Sequence, residues 1–334
     1  MNRRIAAYTT FILLVFTAVN TSAQDVTISQ FLANPLLTNP ALTGSRKGLL
    51  TTVTYRNQWP NLFTSFESAA ATLDQNLAKL NSGIGASFVS TKIGGDALIS
   101  LVLSTYYAYH LEATSDLMFN FGIKGTYFYK SINWTRIISS VQYSSVREMV
   151  GVELGNPSTS IQNFDFSLGT SFSYKNVLYG GLSVDHITTP NISFFKYDTL
   201  TNLGIKTSIF VAGNVSSGKR IFRRIKNSTL SYTPMIFYQG NSDFKQLSLG
   251  SYLNVGFLVL GAWYRKDFNN DGSMIGLIGT KLNQFYLAYS FDYTLTYNPV
   301  YDGGAHEITL SFNIDNQRYN RNSTKLGRIP SPIF

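Results

Sequence analysis

Three histidines, His110, His186 and His306, stand far apart in a chain without cysteine. Metal sites built on His or Cys need clustered ligands or an HExxH-type spacing, and neither occurs. A hydrolase needs a serine paired with a histidine base that a third group orients. Strand histidines near serines exist here, but so Ser-rich a chain supplies such neighbours by chance. Asp267, Asn269, Asp271 and Gly272 repeat the first half of a calcium loop. The twelfth position is Ile278 instead of Glu and strand patterns flank the loop, so a hairpin with Asp-Gly turn chemistry is the better reading. Gly83-Ile84-Gly85 lacks a third glycine and falls in a strand pattern, which excludes a nucleotide cradle. The residue types therefore offer no catalytic group, metal site or cofactor site, and the chain reads as non-enzymatic.

The composition turns attention to the frame. Only 13% of the 334 residues are charged, against about 25% in an average protein. Aromatics reach 14%, with 24 Phe and 21 Tyr, and the mean hydropathy is +0.00. No apolar run is long enough for a polytopic helical membrane protein, which needs ~18 or more residues per span. Such aromatic content excludes disorder. Low charge, many aromatics, 26 Gly and neutral hydropathy fit a barrel whose strands are apolar on one face only. Residues 1–23 read as a signal peptide. Arg3 and Arg4 precede an apolar stretch at 11–16, and Thr21-Ser22-Ala23 offers small residues for cleavage before Gln24. An uncleaved membrane anchor is the alternative.

Period-2 alternation recurs along the mature chain. In 164–174, Phe164, Phe166, Leu168 and Phe172 oppose Asp165, Ser167, Gly169 and Ser171. In 285–295, Phe285, Leu287, Tyr289 and Phe291 oppose Ala288, Ser290 and Asp292. The polar partners are small, as a crowded lumen wall requires. A soluble β-sandwich would show more Lys and Glu there. About fourteen strands are expected, near 49–58, 65–77, 83–91, 97–111, 117–131, 162–174, 177–187, 203–215, 229–239, 244–253, 256–266, 273–281, 285–295 and 305–314. Every second connection is short, which suits periplasmic turns, and the others include 132–161 and 188–202. The fold class is thus all-β, a transmembrane antiparallel outer-membrane β-barrel over 49–314. A lead-in at 24–48 precedes it, and a basic periplasmic tail at 315–334 follows.

One connection breaks the parity. Segment 216–228 should be periplasmic and short, yet it is long and carries Lys219, Arg220, Arg223, Arg224 and Lys226 with no acid. Ile221, Phe222 and Ile225 at helical spacing predict a short amphipathic helix. The tail is basic too, through Arg318 and Arg321 among others. These two elements hold most of the net charge of +9 and are the candidate partner-docking residues. Nucleic acid is excluded as a partner by compartment. Outer-membrane lipid is the expected surroundings.

The mature N-terminus reads Ser29-Gln30-Phe31, Asn34-Pro35-Leu36 and Asn39-Pro40-Ala41, followed by Tyr55-Arg56-Asn57-Gln58-Trp59. Later come Tyr179-Gly180-Gly181, Tyr264-Arg265, Ser290-Phe291-Asp292-Tyr293 and Gly304-Ala305-His306-Glu307. In that order they resemble the PorP/SprF family of the Bacteroidetes type IX secretion system and its gliding apparatus. The family motif falls on Asn34, Pro35, Asn39, Pro40, Tyr55, Arg56, Gln58, Trp59, His306 and Glu307. Pro60-Asn61-Leu62-Phe63 stands where the family has a glycine-rich turn. The resemblance implies a non-enzymatic outer-membrane barrel that supports export or surface attachment of sorting-domain proteins, adhesins among them, and gliding motility. Implied partners are a periplasmic peptidoglycan-binding lipoprotein, other type IX components, and the C-terminal sorting domain of an adhesin. A solute-conducting porin is the alternative function.

The same motifs have a physical reading. Two Asn-Pro steps fix extended backbone and remove ladder donors, so 25–46 is an irregular lead-in, inside the barrel, across its mouth, or loose in the periplasm. Arg56 is costly against lipid and should face the lumen. Glu307 and Asp292 alternate inward as well, and the first and last strands must meet at the seam. Arg56, Asp292 and Glu307 are therefore candidates for a structural lumen network. Trp59 and Phe63 suit an interfacial aromatic girdle.

Overall fold

The computed structural model describes residues 28–62, 64–134, 136, 158–195, 201–220, 229–242, 244–268, 272–295 and 302–314, with only the backbone at 217–220 and 229. The expected signal peptide, the tail with Arg318 and Arg321, and Arg223, Arg224 and Lys226 lie outside the described residues.

The strands are β1 (Leu49–Gln58), β2 (Phe66–Leu77), β3 (Ser82–Ile93), β4 (Leu98–Glu112), β5 (Leu117–Ile132), β6 (Ser160–Tyr174), β7 (Leu178–Asp185), β8 (Lys206–Gly213), β9 (Val215–Arg220), β10 (Thr229–Gly240), β11 (Lys245–Val255), β12 (Leu258–Asp267), β13 (Ser273–Leu282), β14 (Phe285–Thr294) and β15 (Ala305–Ile314). Sequence neighbours pair antiparallel except β8 and β9, and β15 closes on β1 with Leu49 opposite Ile314 and Gln58 opposite Ala305. Both β8 and β9 pair with β10, in one register from Met235 facing Ala212 through Tyr232 facing Val215 to Leu230 facing Ser217, with a shift at Thr229, which faces Arg220. They form a single stave whose ladder lapses opposite Pro234, which has no N–H to give. The result is a closed antiparallel barrel of 14 strands.

Alternation puts the apolar side chains outside. In β6, Phe164 and Phe166 are exposed while Asp165 and Ser167 are buried. Contiguous apolar surface of this extent needs an apolar solvent around it. Much of the inner wall is polar, and small side chains bond one another across neighbouring strands. Thr52 donates to Ser311 at 3.0 Å, Thr54 and Thr309 share a bond of 3.0 Å, and Asn120 donates to Ser171 at 3.0 Å.

At one end the connections are short: 78–81, 113–116, 175–177, 256–257 and 283–284. Asn81, Asn176 and Asn283 turn there with positive φ, a conformation Asn tolerates better than most residues. The opposite end holds 133–159 and 186–205. The expectation for 216–228 needs correction in its first half. Residues 215–220 continue as β9, so Lys219 and Arg220 lie on a strand and not on a helix. Pairing with β10 carries the strand on through Arg220. The remainder of that expected helix lies outside the described residues.

Candidate functional site

The lumen is occupied by the chain's own lead-in. Residues 28–46 are buried except for a half-buried Leu37, and they run down the barrel interior to join β1 at the short-turn end. Phe31 and Leu32 pack into an apolar cluster with Phe210, Phe237, Tyr252, Trp263, Ile275 and Tyr286 on the wall. The Phe31 ring lies 4.6 Å from that of Phe237 and 5.2 Å from that of Trp263.

The Asn-Pro steps shape the descent. Pro35 opens a single helical turn, Pro35–Thr38, where its missing N–H costs nothing. Thr38 donates back to the Phe31 carbonyl at 2.8 Å. Asn39 caps the next turn, Pro40–Leu42, its Oδ1 accepting from the Ala41 N–H at 2.8 Å while Nδ2 donates to the Thr170 carbonyl at 3.2 Å. Gly122 and Gly169 make room for these turns. A Cβ on Gly122 would collide with the Pro40 backbone, and one on Gly169 with the Asn39 side chain. Near the base, the Gly44 N–H donates to Asp74 at 2.6 Å.

The upper end of the lead-in is held by four charges. Arg56 on β1, Arg265 on β12, Asp292 on β14 and Glu307 on β15 each sit two residues from the long-loop end of their strand. Arg56 bridges Asp292 at 2.9 Å and Glu307 at 3.0 Å, and Arg265 bridges Asp292 at 2.9 Å. Two cations and two anions balance. The Ser29 hydroxyl sits between them, donating to Asp292 at 2.6 Å and accepting from Arg56 at 2.7 Å and Arg265 at 3.1 Å. One donor and two lone pairs are all a hydroxyl has. Glu307 also accepts the backbone N–H groups of Ser29 at 2.8 Å and Gln30 at 3.1 Å.

Of the sequence candidates, Arg56, Asp292 and Glu307 thus come together, with Gln58 accepting from Arg56 at 3.2 Å. Tyr55 faces outward. His306 meets the Tyr289 hydroxyl at 2.8 Å and is not part of the charged cluster. Trp59 turns with positive φ and packs edge-on to Phe66 at 5.6 Å; Phe63 lies outside the described residues. Arg265, Ser29 and Gln30 escaped the sequence reading of the lumen. Arg265 alternates with Trp263 on the same face, a signal that was legible.

A second polar group lines the far wall. Lys124 bridges Asp185 at 2.5 Å, with Lys206 at 3.9 Å from the same carboxylate. Asp165 bonds His186 at 2.8 Å and Thr188 at 2.6 Å. The other histidine in the lumen, His110, bonds Asn120 at 2.7 Å. Among the described residues no three His, Cys, Asp or Glu gather as metal ligands. Of the calcium-like loop, 269–271 lie outside the described residues.

A closed barrel with an apolar outer face, a partly polar inner wall and its own lead-in in the lumen is an outer-membrane β-barrel. The chain belongs to the PorP/SprF family of type IX secretion system membrane proteins, whose family model matches residues 20–312. No curated protein sequence matches it. Solved structures of similar shape include a TodX deltaS2S3 mutant monoaromatic hydrocarbon channel, at 12% identity and a TM-score of 0.48, covering 86% of this chain and 95% of that one. The Pseudomonas putida toluene transporter TodX follows at 11% and 0.41, covering 87% and 93%. A Pseudomonas aeruginosa FadL homologue has 10% and 0.41, covering 82% and 92%.

Proposed function

We propose that this barrel is a non-enzymatic docking component of the type IX system, supporting export or surface attachment of sorting-domain adhesins and, through them, gliding. The observation that carries the reading is the lumen filled by residues 28–46 and tied at its upper end to four buried charges. A barrel that spends its interior on its own chain works through its surfaces, not as a pore. Family membership supplies the system. Its partners in this reading are a peptidoglycan-binding lipoprotein or other periplasmic components, which meet the short-turn end. The candidate docking residues in this reading are the basic run that the sequence carries at Lys219, Arg220, Arg223, Arg224 and Lys226, together with Arg318 and Arg321 after the last strand. The C-terminal sorting domain of the cargo is the second partner.

The test is a deletion strain examined by surface proteomics, with purified barrel studied in planar bilayers. Loss of one or more sorting-domain proteins from the surface, together with an electrically silent barrel, is the expected outcome. Unchanged surface proteins with clear single-channel conductance would overturn the reading in favour of a porin.

A further inference from the structure

The outer face of β12–β14 recedes at one place. Ala262, Gly276 and Phe291 lie opposite one another in register across the three strands, on the outward side of each. A Cβ on Gly276 would meet no atom within 4 Å. The two large neighbours turn aside. The Tyr264 ring climbs toward the rim, its hydroxyl 3.2 Å from where a Cβ on Gly272 would stand. The Phe291 ring leans the other way, onto β15, with its centroid 5.0 Å from that of His306. What remains is an apolar hollow of about 540 Å³ over Ala262 and Gly276, walled by Tyr264, Met274, Phe291 and Tyr293.

The depth of the hollow in the membrane follows from strand length. β12, β13 and β14 have ten residues each, the length that crosses the hydrocarbon once at a tilt of ~45°. Gly276 is the fourth residue of β13 from the long-loop end, so the hollow lies in the outer half of the bilayer. Irregular backbone facing lipid does not occur at that depth, so no connecting loop folds down into it. Left empty in an apolar medium, its lining would forfeit dispersion contacts. Above it the chemistry changes. The Tyr264 hydroxyl stands at headgroup height, where such groups collect. Lys266 is exposed two residues beyond Tyr264 on the same outward face, while Asp267 alternates inward. Lys245, also exposed, stands beside it at the start of β11, its carbonyl accepting from the Phe268 N–H at 2.9 Å. An apolar recess beneath two cations complements a molecule with an acyl chain and a phosphate.

We propose that this hollow binds one acyl chain of a phosphorylated glycolipid of the outer leaflet, whose phosphate meets Lys245 and Lys266. The hollow supplies shape and the lysines select the charge. A second copy of the barrel seated on the same patch would bring its own two lysines against these, so a lipid is the better occupant. The proposal needs only the outer-membrane setting and stands apart from the docking reading above.

The probe is bis-phosphorylated lipid A, titrated into the full-length barrel after lipid has been stripped by detergent exchange, with binding read by native mass spectrometry. One lipid per barrel is expected before any further lipid adds. Gly276→Leu, which fills the hollow, should weaken binding at least roughly tenfold. Ala69→Leu, on the outward face of β2, should leave it unchanged. The double variant Lys245→Gln, Lys266→Gln should weaken bis-phosphorylated lipid A by a similar factor and leave binding of its dephosphorylated form as it was. Heat-modifiable gel migration certifies that each variant is folded, and the lysine variant stands as the test if Gly276→Leu is not. Equal binding by Gly276→Leu, equal binding of the two lipid A forms by the unaltered barrel, a preference for phosphatidylglycerol, no discrete first lipid, or a barrel dimer that Gly276→Leu dissociates overturns the proposal.

Discussion

The Ser29 hydroxyl donates to the Asp292 carboxylate across 2.6 Å, joining residues 263 positions apart. Through it the lead-in is fastened to β14. Because Arg56 and Arg265 both donate to the same oxygen, the fastening reaches both sides of the barrel seam.

Replacing Ser29 by Ala leaves two guanidinium groups and a carboxylate each short of one bond. The expected loss is about 1–3 kcal/mol, read as a lower temperature for the heat-modifiable transition. Ser29→Thr keeps the hydroxyl and should restore most of the loss.

Arg56 and Glu307 form a buried pair opposite each other in register. Breaking such a pair by removing one partner costs about 3–5 kcal/mol. Arg56→Ala and Glu307→Ala should each lose that much. The double variant should lose clearly less than the sum, because neither single variant's unpaired charge remains. Additive losses in urea unfolding would contradict a direct coupling.

Gly122 touches Pro40 across the lumen. Gly122→Val should destabilise the barrel by about 1–3 kcal/mol through overpacking. In a chain lacking residues 28–46 the same substitution should be nearly neutral, since the neighbour it strikes is gone. Comparable losses in both backgrounds would place the strain elsewhere.

Removing residues 28–46 should open the lumen. The expected readout is conductance in planar bilayers by a barrel that remains heat-modifiable, while the intact chain stays silent. A silent truncated barrel would mean that other segments fill the interior.

Phe166 faces outward and Ser167 inward on adjacent positions of β6. Phe166→Arg should cost about 2–4 kcal/mol on folding into lipid vesicles, the penalty for a cation near the bilayer midplane. The same variant in detergent, where the strand outside is less demanding, should lose less.

The strand pattern was legible because side chains alternate with period 2 whatever the surroundings. β1, β15 and most strands between them begin and end within a few residues of the alternation read from sequence. The stretch after Gly213 was not legible. The alternation read from sequence stops at 215, and a local pattern carries no record of β10, whose ladder draws Val215–Arg220 into a strand; Ile221, Phe222 and Ile225, which carry the expected helix, lie outside the described residues.

The sequence by itself determined the barrel, because the alternation, the low charge and the turn residues are local properties that each segment carries alone. It also determined that Arg56, Asp292 and Glu307 turn inward, since parity along a strand suffices for that. Only the tertiary structure decided what they meet. Arg265 and Ser29 complete the charged cluster from β12 and the lead-in. The Asn-Pro steps lie over Gly122 and Gly169, and β9 joins the ladder of β10. Each of these depends on strand register, and register is a relation between segments that no single segment encodes.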